Sequence, residues 1–239
     1  MYENFNNQTQ PAYYDQAAVA RQTNSVLKRV YVRMFIGLLV SAFCALGVAS
    51  SPALISFIFG NTIVFWGMLI AMFAMAILIP ARMNKMASGT VLTLFIVYAA
   101  LMGTFLSSIF FAYRMPAIVA TFFITAGTFG AMSAYGYFTK ADLTKMGSFL
   151  TMALFGLIIA MLVNMFLKSA AMGYVVSVVG VLIFVGLTAW DTQQVKRLAS
   201  ANLDPALTDK LATMGAMNLY LDFINLFLML LRIFGGSRD

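Results

Sequence analysis

The sequence predicts an all-α integral membrane protein with seven transmembrane helices. Hydrophobic residues make up 62% of its 239 residues and charged residues only 10%, whereas soluble domains average about 45–50% and about 25%. The apolar residues fall into seven continuous runs, each bounded by Gly, Pro, Lys, Arg or Asp. A helix needs about 20 residues to cross a bilayer, so seven spans fill this chain and leave no room for a separate soluble domain.

The chain is predicted to consist of a tail and one membrane domain. Residues 1–24 are rich in Asn, Gln, Tyr and Ala and lack the apolar core of a secretory signal, so we expect a flexible polar cytoplasmic tail. Residues 25–239 form the membrane domain, in which backbone amides have no water partners and each span must be helical. The predicted spans are 31–51, 61–80, 87–111, 116–138, 147–167, 172–191 and 211–232.

Most connections between the spans are short, which makes neighbouring helices antiparallel. The long connection is 192–210, where Asp204-Pro205 marks a turn and we expect a short interfacial helix. Small residues are predicted to allow close packing between the spans. These are Gly127, Gly130, Gly173, Gly180 and Gly186.

Basic residues alternate between the two sides of the predicted bundle, which sets its orientation. By the positive-inside rule, the N-terminus is predicted to be cytoplasmic and the C-terminus outside. The more basic side receives Arg21, Lys28, Arg29, Arg33, Arg82, Lys85, Lys140, Lys145, Lys196, Arg197 and Lys210, and the other side Arg114, Lys168, Arg232 and Arg238.

The composition excludes several chemistries. The chain has no His, so no imidazole can serve as a catalytic base or metal ligand, and its single cysteine, Cys44, cannot form an internal disulfide. The net charge of +7 comes from connections between spans, without a basic stripe interleaved with aromatic residues, so no nucleic-acid partner is expected. No phosphate-binding loop or dinucleotide fingerprint is present, and no cofactor is expected.

Two carboxylates lie at membrane depth, where an ionised side chain costs several kcal/mol. Asp222 is near the middle of the seventh span and Asp191 closes the sixth. These two spans end and begin on the same side, so the two side chains can meet. In a low dielectric both cannot comfortably ionise, so they are expected to share a proton and act as a pH sensor. The alternative is that Asp191 is solvated at a helix end and Asp222 only joins helices by hydrogen bonding.

Polar residues follow one face of the seventh span. Asn218, Asp222 and Asn225 lie at i, i+4 and i+7, and such a face cannot meet lipid cheaply. We therefore place this helix centrally. Arg82 ends the second span, where it either latches onto an ionised carboxylate or simply anchors the helix at the headgroups.

Several segments resemble the Bax inhibitor-1 family, also called the transmembrane Bax inhibitor motif family. The strongest likeness is in 218–232, NLYLDFINLFLMLLR, which resembles the last helix of the family. Further likeness is carried by GLLVS at 37–41, SPAL at 51–54 and AWDTQ at 189–193. The resemblance covers the chain beyond the tail. It implies two three-helix layers around a central C-terminal helix.

The resemblance also implies a function. Members of the family are described as pH-sensitive calcium leak channels, in which the residues matching Asp191 and Asp222 form the sensor and an arginine matching Arg82 acts as the latch. Ca²⁺ is then the permeant ion, and its contact with the two carboxylates is weak, since a tight site takes about 6–8 oxygens. Glu3 is the only glutamate, so an ion path that uses acidic residues of early helices is not expected here.

The resemblance leaves a second function open. Bacterial relatives include regulators of a membrane-bound AAA protease, to which a cytoplasmic tail contributes. The alternative is therefore a non-conducting regulator of such a protease or of a stress response. Both interpretations place the chain in a bacterial inner membrane.

An enzyme is not expected. Intramembrane aspartyl proteases also carry one catalytic Asp in a sixth helix and one in a seventh. They have Gly-x-Gly-Asp at the second position, whereas Tyr220-Leu221 precedes Asp222 here. The Pro-Ala-Leu that should follow in a later helix occurs instead at 205–207, before the second Asp.

Overall fold

The computed structural model describes residues 11–201 and 203–236, and in these ranges the regular structure is entirely helical. Met83–Lys85 form one 3₁₀ turn after the third helix. The α-helices of the described ranges are α1 (Pro11–Ala49), α2 (Pro52–Phe59), α3 (Thr62–Arg82), α4 (Ser88–Leu106), α5 (Ile109–Ala112), α6 (Met115–Phe138), α7 (Thr144–Leu167), α8 (Ala170–Ser200) and α9 (Pro205–Phe234).

Among the described residues, seven helices are long and apolar enough to cross a membrane, which confirms the predicted fold class. They are α1, α3, α4, α6, α7, α8 and α9, and the short α2 and α5 lie in the connections. The N-terminus of α1 and the C-terminus of α9 lie at opposite ends of the bundle. We call these the N-terminal end and the C-terminal end.

Two predicted boundaries are corrected by the structure. Helix α1 begins at Pro11, so the part of the predicted flexible tail from 11 to 24 is helical, while residues 1–10 lie outside the described ranges. The described residues of the connection predicted for 192–210 form no separate interfacial helix. Instead α8 runs on to Ser200 and α9 begins at Pro205.

The short link between α8 and α9 has a clear local cause. The Asp204 side chain accepts hydrogen bonds from the backbone N–H groups of Ala206 and Leu207, and Pro205 occupies the first helical position. Both features are typical helix starts. Helix α9 therefore starts at Pro205, and the polar residues before this link belong to α8, which ends at Ser200.

Helix α9 is the centre of the bundle. In its most apolar stretch 72% of the residues are buried, against 6% in α7. It packs against α1 and α4 on one side and against α6 and α8 on the other, with α3 outside α4 and α7 outside α8. The predicted arrangement of two three-helix groups around a central C-terminal helix is therefore present.

The closest helix approaches occur at glycines that the sequence analysis did not select. A Cβ on Gly136 would overlap the backbone of Ala189, and one on Gly103 would overlap the backbone of Ser41. Only a residue without a side chain allows helices this close. The prediction was wrong for Gly127 and Gly130, which face open space. Gly173, Gly180 and Gly186 do lie close to side chains of Asn164, Met229 and Leu150.

The rotation of α9 is held by a buried tyrosine. Tyr220 is fully buried, and its hydroxyl lies 2.7 Å from the Ser41 hydroxyl of α1. Its ring packs edge to face against Phe95 and Tyr98 of α4. Directed aromatic contacts combined with a buried hydrogen bond select one orientation of the helix. Residues two positions away, including Asp222, therefore point to the opposite side, toward α8.

Candidate functional site

The centre of the bundle holds a pair of aspartates. Asp191 of α8 and Asp222 of α9 lie on the most extensive helix interface of the molecule, with 9% and 5% of their surfaces exposed. Their carboxyl groups are hydrogen-bonded to each other. An ionised carboxylate only accepts hydrogen bonds, so this contact requires a proton on one of the two groups.

No cation neutralises this pair among the residues the structure describes. The ion pairs found there join Arg29 and Arg33 to Asp209, and Arg197 to Asp142. Asp222 Oδ2 is buried and receives no hydrogen bond from an N–H or hydroxyl group of the described residues. Two buried carboxylates without a cation are stable only if they hold at least one proton between them.

A small group of hydroxyls joins α8 to α1 and α6. Thr192 follows Asp191 in α8, and its Oγ1 lies 3.4 Å from both the Tyr31 hydroxyl of α1 and the Ser133 Oγ of α6. Tyr31 and Ser133 line a cavity of about 320 Å³ near the N-terminal end of the bundle. These hydroxyls place polar groups between α1, α6 and α8 beside that cavity.

Arg82 does not take part in this arrangement. It is the last residue of α3, it is exposed, and it forms no hydrogen bond or ion pair with any residue in the described ranges. The reason is its position, because α3 packs on α4 outside the central helices. The predicted latch is therefore not formed in this structure.

The predicted polar stripe of α9 divides into two parts. Asn218 is exposed, and Asn225 is half-buried with its Nδ2 donating to the carbonyl of Leu221 in its own helix. At 3.6 residues per turn, Asn225 lies about 60° around the helix from Asp222. Only the aspartate reaches α8, whereas the asparagines lie on the least covered face of α9. The expectation that all three share a buried face was wrong.

A second aspartate of α9 was missed from the sequence. Asp209 Oδ1 lies 2.6 Å from Nη2 of Arg33 and 3.3 Å from Nη1 of Arg29, both on α1. Arg33 Nη1 also donates to the Asp209 carbonyl and to the Thr213 hydroxyl, each at 2.8 Å. The signal that could have found it is the i, i+4 spacing of the two arginines on the side of the bundle that also carries Asp209.

The link between α6 and α7 is tied to α8 by a further polar cluster. Gln193 accepts a hydrogen bond from the Leu143 N–H and donates to the Ala141 carbonyl. Arg197 forms an ion pair with Asp142. Hydrogen bonds from Thr144, followed by those from Arg197, hold the pKa of the exposed Asp142 carboxyl well below its usual range. This carboxylate stays charged at neutral and mildly acidic pH.

The described residues include no group of three or more acidic or cysteine side chains that could enclose a metal ion. Asp191 and Asp222 together offer at most four carboxylate oxygens, fewer than the about 6–8 that Ca²⁺ takes. A cation at this pair would therefore keep part of its hydration shell. The chemistry available is proton binding and weak contact with a cation.

Comparison with known proteins shows related sequences over nearly the whole chain. The inner membrane protein YbhL of Escherichia coli is 47% identical over 214 residues, covering 89% of this chain and 92% of that protein. An uncharacterized protein of Borreliella burgdorferi is 45% identical over 217 residues, covering 90% and 94%. A third relative, uncharacterized protein RP147 of Rickettsia prowazekii, is 43% identical over 215 residues, covering 88% and 89%.

A family model matches as well. The model described as inhibitor of apoptosis-promoting Bax1 matches residues 23–239, which is the membrane domain with little of the tail. Together with the seven-helix bundle and its central helix, this match identifies an integral membrane protein with relatives in bacterial inner membranes. The chain belongs to the Bax inhibitor-1 family.

Proposed function

We propose that this protein is a pH-sensitive leak channel for Ca²⁺ and other cations, gated by protonation of Asp191 and Asp222. The observation that carries the proposal is the buried hydrogen bond between these two carboxyl groups without a neutralising cation nearby. Ionisable residues at membrane depth mark ion and proton pathways more often than structural contacts. This pair joins α9 to α8, the helix with which α9 shares its largest interface, so a change in the charge of the pair acts on the core of the bundle.

The gating step is a change in the number of protons on the pair. With one shared proton, the two carboxyl groups carry a net charge of −1 and hold α8 to α9 by a hydrogen bond. Loss of that proton leaves two like charges in a low dielectric, which repel, and gain of a second proton removes the charge. Either change shifts the balance between conformers of the bundle. The proposal does not require the Arg82 latch.

The choice of permeant ion follows from the same residues. Carboxylate oxygens suit Ca²⁺ and other hard cations, and conduction needs binding that is weak enough for release. Two carboxylates supply that kind of contact. A negative pair at the centre of the bundle also disfavours anions.

The orientation of the bundle is part of the proposal. Arg29, Arg33, Lys196 and Arg197 lie at the N-terminal end, together with most other basic residues. The positive-inside rule then places this end in the cytoplasm. The cavity lined by Tyr31 and Ser133 would connect the central pair with the cytoplasmic side.

The decisive experiment is a flux assay. Purified protein is reconstituted into liposomes that contain a Ca²⁺ indicator, and uptake is measured between about pH 5 and 8, the range in which a shared carboxyl proton can titrate. We expect pH-dependent uptake with the wild type and loss of that dependence with Asp191→Asn and Asp222→Asn. The matched control is Asp142→Asn, which makes the same chemical change at an exposed carboxylate that stays charged over this range.

The outcomes separate the two candidate functions. Flux that depends on pH in wild type and Asp142→Asn, but not in the pair variants, supports the channel. Flux with the same pH dependence in all four proteins would rule out the pair as the sensor. Absence of flux from protein shown to be folded would overturn the channel and favour a non-conducting regulator of a membrane protease.

A further inference from the structure

A second candidate site lies at the C-terminal end of the bundle, far from the aspartate pair. Here a cavity of about 650 Å³ opens between the α7–α8 turn and the end of α9. Lys168 reaches it from the turn and Arg232 from the last turn of α9. Asn164, Ser169 and Tyr174 add polar groups to a wall that is otherwise formed by Met161, Met165, Ala170, Gly173 and Val176.

The turn that presents Lys168 is fixed by its own hydrogen bonds. The Lys168 N–H donates to the Asn164 carbonyl at 2.8 Å, and Asn164 Oδ1 accepts from the Ser169 N–H at 3.1 Å. Ser169 Oγ in turn accepts from the N–H of Met172 at 3.3 Å, which caps α8. The backbone of Lys168 is thus held in place by a hydrogen-bonded turn.

Lys168 occupies a backbone position that does not suit it. Its φ of 50° lies in the left-handed region, and it is the one non-glycine residue with positive φ among those described. Helices that end in this conformation favour Gly or Asn there, because a Cβ is strained. A lysine at such a position sacrifices local stability and places a cation in the cavity. Retained strain of this kind is characteristic of functional positions.

Within the described part of the chain, neither cation of the cavity is paired with a carboxylate. Lys168 and Arg232 form no ion pair with any residue of the described ranges. The carboxylates with described side chains lie elsewhere, with Asp142, Asp204 and Asp209 at the N-terminal end and Asp191 and Asp222 in the central pair. Two cations and the N-terminus of the 31-residue helix α8 therefore make this cavity strongly favourable for an anion.

We propose that this cavity binds a phosphate group. Arg232 offers a planar pair of donors that matches phosphate oxygens, and Lys168 adds a point charge from the α7–α8 turn. Two sources share this chemistry, namely the headgroup of an anionic phospholipid and free inorganic phosphate. The apolar wall formed by Met161, Met165 and Val176 would lie along the acyl chains of a lipid. This binding site is independent of the proposed channel activity.

The test measures lipid retention by the full chain. The protein is reconstituted in phosphatidylcholine containing a minor fraction of phosphatidylglycerol, and bound phosphatidylglycerol is counted by native mass spectrometry. Replacing Lys168 and Arg232 together by Gln is expected to weaken binding by about tenfold for each lost charge-assisted hydrogen bond. The matched control is Arg114→Gln, which removes a cation from the same end of the bundle but not from the cavity.

A second variant distinguishes a loss of binding from a loss of folding. Lys168→Gly suits the left-handed backbone, so its melting temperature should equal or exceed that of the wild type while phosphatidylglycerol binding falls. A variant that is at least as stable and still binds less cannot be explained by unfolding.

A parallel titration with inorganic phosphate in phosphatidylcholine alone distinguishes the sources. Retention of phosphatidylglycerol without measurable phosphate binding identifies the lipid headgroup. Phosphate binding that is lost in the double variant identifies free phosphate. If both ligands bind equally to wild type, the double variant and Arg114→Gln, or if neither binds the wild type, the proposal is overturned.

Discussion

Helix α9 carries two aspartates in opposite surroundings. Asp209, in the second turn, faces two arginines of α1, and 26% of its side chain is exposed. Asp222 lies about 20 Å further along the helix axis, at about 1.5 Å per residue. It is buried against another carboxyl group and has no cation partner among the described residues. The same residue type on the same helix is thus stabilised in one place by charge and in the other by a proton.

The difference shows which aspartate can respond to pH. One oxygen of the Asp209 carboxylate, Oδ1, contacts the guanidinium groups of both Arg29 and Arg33, so its charge is part of the folded structure. The charge at Asp222 depends on whether a proton is present, because two like charges cannot both be held in a low dielectric. Structural and sensing roles are therefore distinguished by the partner and not by burial alone.

The largest expected effect on stability comes from removing the main partner of Asp209. Arg33→Ala removes three hydrogen bonds to α9 and leaves Asp209 with only the longer contact to Arg29. We expect a loss of about 2–3 kcal/mol in the free energy of unfolding, since hydrogen bonds to charged groups contribute about 1.5–3 kcal/mol. Denaturant titration in detergent would measure it.

The control for this prediction is Arg29→Ala. Its side chain is 44% exposed and its Nη1 lies 3.3 Å from Asp209 Oδ1, so the loss should stay below about 1 kcal/mol. Equal losses for the two variants would show that the additional hydrogen bonds of Arg33 do not contribute to stability.

A smaller loss is expected from displacing α8, the helix that carries Asp191. Gly136→Ala places a methyl group against the backbone of Ala189, two residues before Asp191. Forced separation of α6 and α8 should cost about 1–3 kcal/mol, as overpacking does in other cores. Because Asp191 is displaced, the pH dependence of Ca²⁺ flux should change as well.

Gly127→Ala is the matched control for that change. It adds the same methyl group to α6 at a position with open space around it. Wild-type stability and flux are expected for this variant. A comparable defect in both glycine variants would mean that helix flexibility, and not helix spacing, is responsible.

Neutralising the sensing aspartate should hardly affect stability. Asp222→Asn keeps the side-chain shape and supplies an N–H that donates to Asp191, so the contact between α8 and α9 is kept. We expect a change below about 1 kcal/mol in the free energy of unfolding at neutral pH. A loss as large as that of Arg33→Ala would indicate that the pair is a structural contact.

The smallest effect concerns an aspartate of a third kind, the exposed Asp142. Its pKa is lowered by Thr144 and Arg197, so its contribution to stability is present above the ordinary Asp value of about 3.9 and is lost as the pH falls toward the lowered pKa. Asp142→Asn should therefore be slightly less stable than wild type at pH 7. The two melting temperatures should converge when the same measurement is repeated in strong acid.

Much of the fold was predictable because lipid imposes simple rules. Span length, the need for helices and the central place of the last helix all follow from apolar runs and from Asp222. Helix ends were less predictable. The polar end of α8 lies beyond the apolar run and stays helical, and it binds the α6–α7 link through Gln193 and Arg197. The close approach at Gly136 depends on the rotation of two helices, which the position of a glycine in the chain does not reveal.

The candidate site was predictable to the same extent. Asp191 and Asp222 were placed together because their spans meet on one side, which is a question of height in the membrane. Arg82 lies on the same side as these residues in sequence terms, yet α3 is separated from α8 and α9 by α4. The rotation of α9 about its own axis also decides that Asp222 is buried against α8 while Asn218 is exposed. The depth of a residue in the membrane can be read from a sequence, whereas the direction in which its side chain faces around the helix axis requires the packed structure.

The packing of Trp190 has a practical consequence. The chain contains two tryptophans, and Trp66 lies on α3 with 55% of its surface exposed. The Trp190 ring packs on Gly147, and its Nε1 is buried without a hydrogen-bond partner in the described part of the chain. Trp190 directly precedes Asp191, so a Trp66→Phe protein carries a single tryptophan, next to the titrating pair. Its emission offers a label-free optical titration of that pair in a native bilayer.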